Sequence, residues 1–336
     1  MKKIGIIIGT EIESVNQKYY LKHKKHFDDV IEELELDSIE DISYDIQIYT
    51  LIKKFAPKTV EVIPLWKVEY SKKDLDELDL IYVIYEATFA LRDYGLPGVN
   101  KYKRLLKNTT TKIIPTFKFQ EFVLNKQSYM KYFQNKDIPI LDTIFFNINT
   151  YKKDKNNAKK LLNNIQNKFN DIPIYCKPEL GGFASGSKLF KNVTYIGLKK
   201  YLDSLVKYGY QKLLIQPYIS EFLKFYEIKT IWMNGKYQYA YGTKVLADSE
   251  DAQEEELDRK LLKTLKKKGK EVIDILSKDF ELPFIIRIDW GCCLLNDNVC
   301  RDYFLNEIEF APAMGANDKN GFDFFAKIGK EICKKV

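Results

Sequence analysis

The stretch FLNEIEFAP at residues 304–312 places two carboxylates inside a segment that otherwise has the apolar character of a buried strand. In a β-strand, residues i and i+2 point to the same face of the sheet, so Glu307 and Glu309 project side by side. Two adjacent anions repel each other unless a positive charge lies between them. The stretch therefore indicates a place where the folded chain holds a cation.

A second apolar strand carries a third carboxylate. IIRIDWG at 285–291 contains Asp289, and the turn-like NDNV at 296–299 predicts a hairpin that sets this strand opposite the glutamate pair. Three converging carboxylates without a nearby histidine form a hard-oxygen site that suits Mg²⁺ or Mn²⁺, and such an ion can bridge to phosphate oxygens. The alternative is that these acids lie at solvent-exposed strand ends and pair with lysines.

Length and composition predict a globular protein. The chain has 336 residues, of which 45% are hydrophobic and 14% aromatic, so two or three domains with hydrophobic cores are expected. No apolar run approaches the roughly 20 residues of a membrane helix, and we expect no membrane association. The five cysteines form no CxxC pair, which argues against a zinc site. We expect reduced thiols and a cytoplasmic location, or the cytoplasm of a host if the chain is viral.

The net charge of +7 comes mostly from lysines spread along the chain. Most of them have acids nearby and fit a solvated surface, although the positive balance also favours anionic substrates such as nucleotides. The sequence shows no basic stripe with interleaved aromatic residues, so nucleic-acid binding is not expected.

Alternating strand and helix patterns predict the α/β (α+β) class. Strand-like patterns occupy residues 2–10, 40–51, 58–66, 78–87, 143–148, 172–178 and 212–219. Helical patterns occupy residues 125–139, 156–169, 194–209 and 247–280. The segment 226–245 has two strand patterns joined by Asn-Gly, which is a strong hairpin signal.

A glycine-rich loop follows a lysine that ends a strand, in CKPELGGFASG at 176–186. Its three glycines allow backbone amides to approach phosphate groups closely. The loop lacks the GxxxxGK[ST] pattern of a Walker loop and the GxGxxG pattern of a Rossmann fold. Taken alone, it is equally consistent with a tight turn that binds no ligand.

The order and spacing of these elements resemble the ATP-grasp superfamily over residues 119–317. Lys126 and the DIP turn at 137–139 match the first nucleotide-binding lysine of that family and the turn that follows it, and Lys177 with its glycine loop matches the second lysine. The resemblance implies an ATP-grasp fold preceded by an N-terminal α/β domain. The implied domains are the N-terminal domain at 1–118, the central lid domain at 119–215 and the C-terminal ATP-grasp domain at 216–336.

Further motifs resemble those of D-alanine–D-alanine ligases and ribosomal-protein glutamate ligases. RID at 287–289 matches an R-I-D strand, and NEIEFAP matches an N-E-x-N-x-x-P strand in which Glu309 replaces the usual asparagine. The resemblance implies that Asp289, Glu307 and Glu309 hold a metal ion and that Arg287 and Lys244 act in catalysis.

The implied nucleotide site comprises Lys126, Lys177, Gly181, Gly182, Phe183, Ala184, Ser185, Gly186, Gln216, Pro217, Tyr218, Ile219, Glu221, Glu227 and Lys229. The resemblance implies that residues 216–219 surround the adenine base. Either Glu221 or Glu227 holds the ribose.

The resemblance implies an ADP-forming ligase that joins a carboxylate to an amine through an acyl phosphate. Its cofactors would be ATP and Mg²⁺ (or Mn²⁺) and its substrates small molecules or peptides. Related ligases are often dimers, so a homodimer is one possible assembly, although the sequence itself does not indicate an oligomeric state. Arg287 would stabilise negative charge that develops on the reacting group. Two other activities fit the same motifs: a kinase that phosphorylates a hydroxyl group, and a catalytically inactive ATP-binding scaffold.

Overall fold

The computed structural model describes residues 1–9, 14–170, 172–180, 185–223, 225–244, 251–294, 300–310 and 319–336. Within these ranges the chain forms three β-sheets, one parallel and two antiparallel. In the same ranges, no helix is both long and apolar enough to span a bilayer. The mixture of parallel and antiparallel sheets with helices confirms the α/β (α+β) class.

The N-terminal sheet is parallel, with strand order β2-β1-β3-β4. Its strands are β1 (Lys2–Ile8), β2 (Val60–Trp66), β3 (Leu80–Val83) and β4 (Lys112–Ile114). The helices of this part are α1 (Gln17–Lys22), α2 (Lys24–Glu33), α3 (Tyr44–Phe55), α4 (Lys72–Asp76) and α5 (Ala87–Asn108). The isoleucines of β1 are fully buried, as expected for an interior strand of a parallel sheet. The strands predicted at 2–10, 58–66 and 78–87 are confirmed over their central residues.

The segment at 40–51 is not a strand but lies largely in α3, so this prediction is wrong. The helix packs against β1 and β2 on one side and against the helix at Lys319–Ile332 on the other. Its residues 44–52 are therefore all buried, and the polar face that marks a helix in a sequence is missing. Asp45 and Gln47 alternate with apolar residues and imitate a strand. The Asp45 carboxylate is satisfied in the interior because the Gly9 amide donates a hydrogen bond to it at 2.5 Å.

Two short helices, α6 (Phe117–Leu124) and α7 (Lys126–Gln134), follow the N-terminal sheet. They pack against the helix at Arg259–Asp279, where the Tyr132 hydroxyl donates to the Asp279 carboxylate at 2.6 Å. The helix predicted at 125–139 is confirmed in α7, but it ends at Gln134. Asp137 has a φ of 57°, which an α-helix cannot continue through.

The central sheet is antiparallel, with strand order β5-β8-β6-β7. Its strands are β5 (Ile144–Asn147), β6 (Ile174–Pro178), β7 (Lys188–Phe190) and β8 (Lys212–Pro217). Its helices are α8 (Ile148–Lys153), α9 (Asn157–Phe169) and α10 (Tyr195–Lys207). Their apolar faces pack with the sheet into a hydrophobic cluster of its own. The predicted helices and strands of this region are confirmed, with small shifts at their ends.

The third sheet is antiparallel, with strand order β11-β10-β9-β12-β13. Its strands are β9 (Glu227–Met233), β10 (Lys236–Thr243), β11 (Asp251–Gln253), β12 (Ile285–Leu294) and β13 (Cys300–Glu309). Helix α11 (Arg259–Asp279) packs against β9 and β10, and α12 (Lys319–Ile332) packs against α3.

The hairpin predicted at 226–245 is confirmed. Asn234 and Gly235 have φ values of 49° and 72°, as a two-residue type I′ turn requires. The helix predicted within 247–280 begins only at Arg259, after β11. The turn predicted at 296–299 lies outside the described residues.

Candidate active site

Three neighbouring strands of the third sheet each carry a charged–isoleucine–charged tripeptide: 227–229 on β9, 287–289 on β12 and 307–309 on β13. In the strand register, Asp289 lies opposite Lys229 on one side and opposite Glu307 on the other. Cross-strand partners project from the same face, so the six charged side chains share one face of the sheet. The isoleucines between them are buried in the core on the other face.

The cations of this face lie between its carboxylates. The Arg287 guanidinium donates from Nε and Nη2 to the two Asp289 oxygens at 2.7 and 2.8 Å, and Nη2 contacts Glu309 Oε2 at 2.8 Å. Lys229 Nζ contacts Glu227 and lies 3.1 Å from Asp289 Oδ2. A bidentate arginine–carboxylate pair has fixed geometry, so Arg287 and Asp289 hold each other in place.

The structure brings together the three carboxylates that the sequence singled out. One oxygen each from Asp289, Glu307 and Glu309 lies within 4.8 Å of the other two. An all-oxygen, all-carboxylate donor set suits a hard divalent cation such as Mg²⁺ or Mn²⁺. These residues therefore fit the metal ion that the sequence predicts, although its binding stays a prediction.

The pKa values of the three carboxyls differ because their neighbours differ. Burial raises the pKa of Asp289, but the charges of Arg287 and Lys229 more than offset this effect and leave the pKa below its usual range. Burial likewise raises the pKa of Glu307, and the charges of Lys126 and Lys177 more than offset it. For Glu309, burial outweighs the charge of Arg287, and the pKa is raised to about 8. A metal ion at this position would thus compete with a proton at Glu309.

Two lysines from other parts of the chain reach the same face. Lys126 begins α7, where the Asn125 side chain accepts a hydrogen bond from the Ser128 amide and fixes the helix start. Its ammonium contacts the Glu307 carboxylate. The charge of Glu307 more than offsets the effect of burial, so the pKa of Lys126 is raised.

Lys177 comes from β6 of the central sheet. Its ammonium donates to Asn306 Oδ1 at 3.3 Å, and Asn306 Nδ2 donates in turn to Glu227 Oε1 at 2.6 Å. Burial lowers the pKa of Lys177 to about 8. The lysine from the central sheet and the acids of the third sheet therefore lie on one hydrogen-bonded path.

The N-terminal part contributes one more carboxyl. Glu86 follows β3 and precedes α5, and the hydroxyl of Thr88 donates to it. Burial raises the pKa of Glu86 to about 7, while Thr88 and the charges of Lys126 and Arg287 act in the opposite direction. The Glu86 carboxyl is thus within electrostatic range of the charged face.

Searches against family models and curated sequences found no match. Solved structures do match over nearly the whole chain. The VanG D-Ala:D-Ser ligase from Enterococcus faecalis has a TM-score of 0.67 at 10% identity, covering 99% of this chain and 98% of that one. A D-alanine–D-alanine ligase from Bacillus anthracis complexed with ATP has a TM-score of 0.59 at 14% identity, covering 100% and 99%.

A RimK domain protein, described as ATP-grasp, from Sphaerobacter thermophilus has a TM-score of 0.58 at 8% identity, covering 99% of both chains. The chain has the ATP-grasp fold. This confirms the resemblance that the sequence motifs indicated, and at these identities the likeness establishes the fold alone.

Other residues of the ATP-grasp nucleotide motif are placed as follows. The Gln216 amide donates to Thr143 Oγ1 at 2.9 Å, and the chain leaves the central sheet after Pro217. Tyr218 and Ile219 lead into a 3₁₀ turn at Ser220–Leu223 that contains Glu221. Residues 181–184 lie outside the described residues, so the prediction for Gly181, Gly182, Phe183 and Ala184 has no structural counterpart here.

Three further candidates have defined surroundings. Ser185 is within hydrogen-bond distance of the Tyr210 hydroxyl (3.0 Å), and the carbonyl of Gly186 accepts a hydrogen bond from Tyr201 at 2.7 Å. Lys244 lies just after β10, with its ammonium 5.1 Å from the centre of the Tyr226 ring. Their roles toward a nucleotide stay predictions.

The sequence interpretation left out Asn306, which the structure places at the charged face, and Glu86, whose carboxyl is within electrostatic range of that face. Asn306 bridges Lys177 and Glu227, and its signal was its place inside the quoted NEIEFAP motif. Glu86 follows a buried strand, and an acid at the carboxyl end of such a strand is a recognisable signal in an open α/β sheet.

Proposed function

We propose that this protein is an ATP-dependent ligase that joins a carboxylate to an amine through an acyl phosphate. The observation that carries the proposal is the charged face, where three carboxylates meet Lys126 and Lys177 in an ATP-grasp fold. The similar structures described above include a D-Ala:D-Ser ligase and an ATP complex of a D-alanine–D-alanine ligase. These support the ligase class.

The nucleotide would bind between the central and third sheets. Asp289, Glu307 and Glu309 would hold Mg²⁺, which neutralises phosphate charge and orients the phosphates. Lys126 and Lys177 would exchange their present protein partners for phosphate oxygens. The ammonium of Lys126 contacts Glu307, and that of Lys177 is hydrogen-bonded to Asn306, the residue before Glu307. Both lysines would thereby stabilise charge on the phosphate that is transferred.

The substrate carboxylate would attack the γ-phosphorus of ATP, giving an acyl phosphate and ADP. The neutral amine nitrogen would then form a bond to the acyl carbon, and the carbon–oxygen bond to phosphate would break, with its electron pair leaving on the phosphate, which takes up the proton that the nitrogen loses. Arg287 would stabilise the oxygen that becomes negative in this step, because Asp289 and Glu309 fix its guanidinium.

The test is ADP release from the full chain with Mg²⁺, ATP and a panel of amino acids and dipeptides, with hydroxylamine added to trap acyl phosphates as hydroxamates. We expect carboxylate-dependent ADP release accompanied by hydroxamate. The Glu309→Gln variant should lose both signals, and the matched control is Glu61→Gln, which changes an acid on β2 outside the charged face. ADP release without hydroxamate would instead support a kinase, and ADP release that no substrate stimulates would support a scaffold.

A further inference from the structure

We propose that Glu86 binds the ammonium group of a substrate, so that the site selects molecules with a primary amine that is positively charged at neutral pH. The inference rests on the ligase activity proposed above and adds the charge that this activity requires of its substrate. It assigns a role to the N-terminal sheet, where the sequence motifs indicated no residue.

The position of Glu86 in the sheet favours ligand binding. In the order β2-β1-β3-β4, the chain moves from β1 to one side to form β2 and appears on the other side as β3. Open α/β sheets bind ligands outside the carboxyl ends of the strands at such a switch point. The residues that follow β3 remain close to the end of β1, because the amides of Ile84 and Tyr85 both donate to the Ile7 carbonyl, at 3.1 and 3.0 Å. Glu86 is the next residue.

The Glu86 carboxyl is also within electrostatic range of the charged residues of the third sheet. Lys126 and Arg287 lower its pKa and Glu307 raises it, while Glu86 itself raises the pKa values of Lys126 and Glu309. These charges come from α7, β12 and β13, and on its own helix the Thr88 hydroxyl donates to it. A substrate ammonium at Glu86 would therefore be within electrostatic range of the groups proposed to bind the reacting phosphate.

The charge of Glu86 lacks a counter-ion within the described part of the chain. Lys126 contacts Glu307, and Arg287 is shared by Asp289 and Glu309. No ion pair joins Glu86 to any described residue, and burial raises its pKa to about 7. Glu86 is half-buried, and a partly desolvated carboxylate without a cation is unfavourable, so a substrate ammonium would supply the missing charge.

The Glu86 side chain also has no evident structural role. It occupies the position before the first residue of α5, yet its side chain makes no capping hydrogen bond to that helix. Substitution by glutamine keeps the size and the ability to accept a hydrogen bond from Thr88. The Glu86→Gln variant should therefore fold as the native protein does, with an unchanged or slightly higher unfolding temperature.

The experiment compares charged and uncharged substrates of similar shape. For the carboxylate position, alanine is compared with lactate in ATP-dependent hydroxamate formation. For the amine position, alaninamide competes with uncharged hydroxylamine, and the loss of hydroxamate measures its use. The variants are Glu86→Gln, the charge-conserving Glu86→Asp, and Glu61→Gln on β2, which lies near the amino end of the same sheet.

We expect the native enzyme to prefer the charged member of at least one pair by tenfold or more in kcat/KM. Glu86→Gln should abolish that preference without weakening ATP binding, Glu86→Asp should retain part of it, and Glu61→Gln should retain all of it. The pair that responds identifies which substrate carries the ammonium. An equal preference in native protein and Glu86→Gln, or a native preference for uncharged molecules in both pairs, would overturn the inference. Absence of hydroxamate with every carboxylate would count against the ligase activity itself.

Discussion

Asp289 and Glu309 are both candidate metal ligands, but their charges are compensated to different degrees. The Asp289 side chain is 1% exposed and contacts Arg287 and Lys229, whereas that of Glu309 is 31% exposed and its described ion pair is with Arg287 alone. Removing the charge of Asp289 leaves two buried cations undercompensated. Removing the charge of Glu309 leaves Arg287 paired with Asp289.

This difference predicts different effects on stability and similar effects on metal binding. In EDTA, the Glu309→Gln variant should have the same unfolding temperature as the native protein. The Asp289→Asn variant should lose about 3 kcal/mol of its free energy of unfolding. Both variants should bind Mn²⁺ with ATP at least about tenfold more weakly, since each loses a charged ligand. Unfolding in EDTA and Mn²⁺ titration by electron paramagnetic resonance measure the two quantities. Native Mn²⁺ affinity in Glu309→Gln would contradict the assignment of Glu309.

Lys177 gives the site a pH dependence. Its pKa of about 8 means that the ligand-free protein carries a charged Lys177 below pH 8 and a mostly neutral one above it. Because phosphate binding needs the charged form, the contribution of Lys177 to ATP affinity should be constant below pH 8 and then fall by up to about tenfold per pH unit, in addition to any effect of the Glu309 proton on metal binding. Lys177→Arg should remove the fall, since arginine stays protonated. Nucleotide titrations at several pH values test this, and a fall of equal size in Lys177→Arg would refute the role of Lys177.

At the scale of secondary-structure elements, local signals predicted some elements and failed for others. The Asn-Gly turn predicted the hairpin of β9 and β10, because its positive φ values are a property of those two residues. For α3, the sequence indicated a strand, because burial on all sides removed the helical periodicity. Much of that burial comes from α12, which lies at the other end of the chain and therefore cannot be inferred from the residues around α3.

The loop between β6 and β7 depends on the backbone of Gly186. Its φ is 70°, and a Cβ at this position would lie only 2.9 Å from the Pro178 ring, so a side chain has no room. Gly186→Ala should therefore destabilise the central sheet by about 1–2 kcal/mol. Gly197→Ala, within α10, is the control and should cost less, because Gly197 has no positive φ and a Cβ there is closest to the movable Thr194 hydroxyl, at 3.1 Å. Hydrogen exchange of the β6 and β7 amides measures the effect, and equal protection in both variants would show that the Gly186 conformation is not required.

At the scale of the whole molecule, the candidate site combines parts that are distant in sequence. Motif order predicted Lys126, Lys177 and the acids of β12 and β13, because the ATP-grasp resemblance covers those segments. It did not predict the contact between Lys126 and Glu307 or the bridge through Asn306, which depend on how the sheets pack. Glu86 was missed because its approach to the charged face is fixed by the docking of the N-terminal sheet.

The central claim is that a triphosphate and a divalent ion bind at the charged face. A crystal structure of the full chain with Mg²⁺ and a non-hydrolysable ATP analogue tests it most directly. We predict an ion bound by Asp289, Glu307 and Glu309, with phosphate oxygens in contact with Lys126 and Lys177. A nucleotide bound elsewhere, or an ion that contacts none of these three carboxylates, would contradict the account.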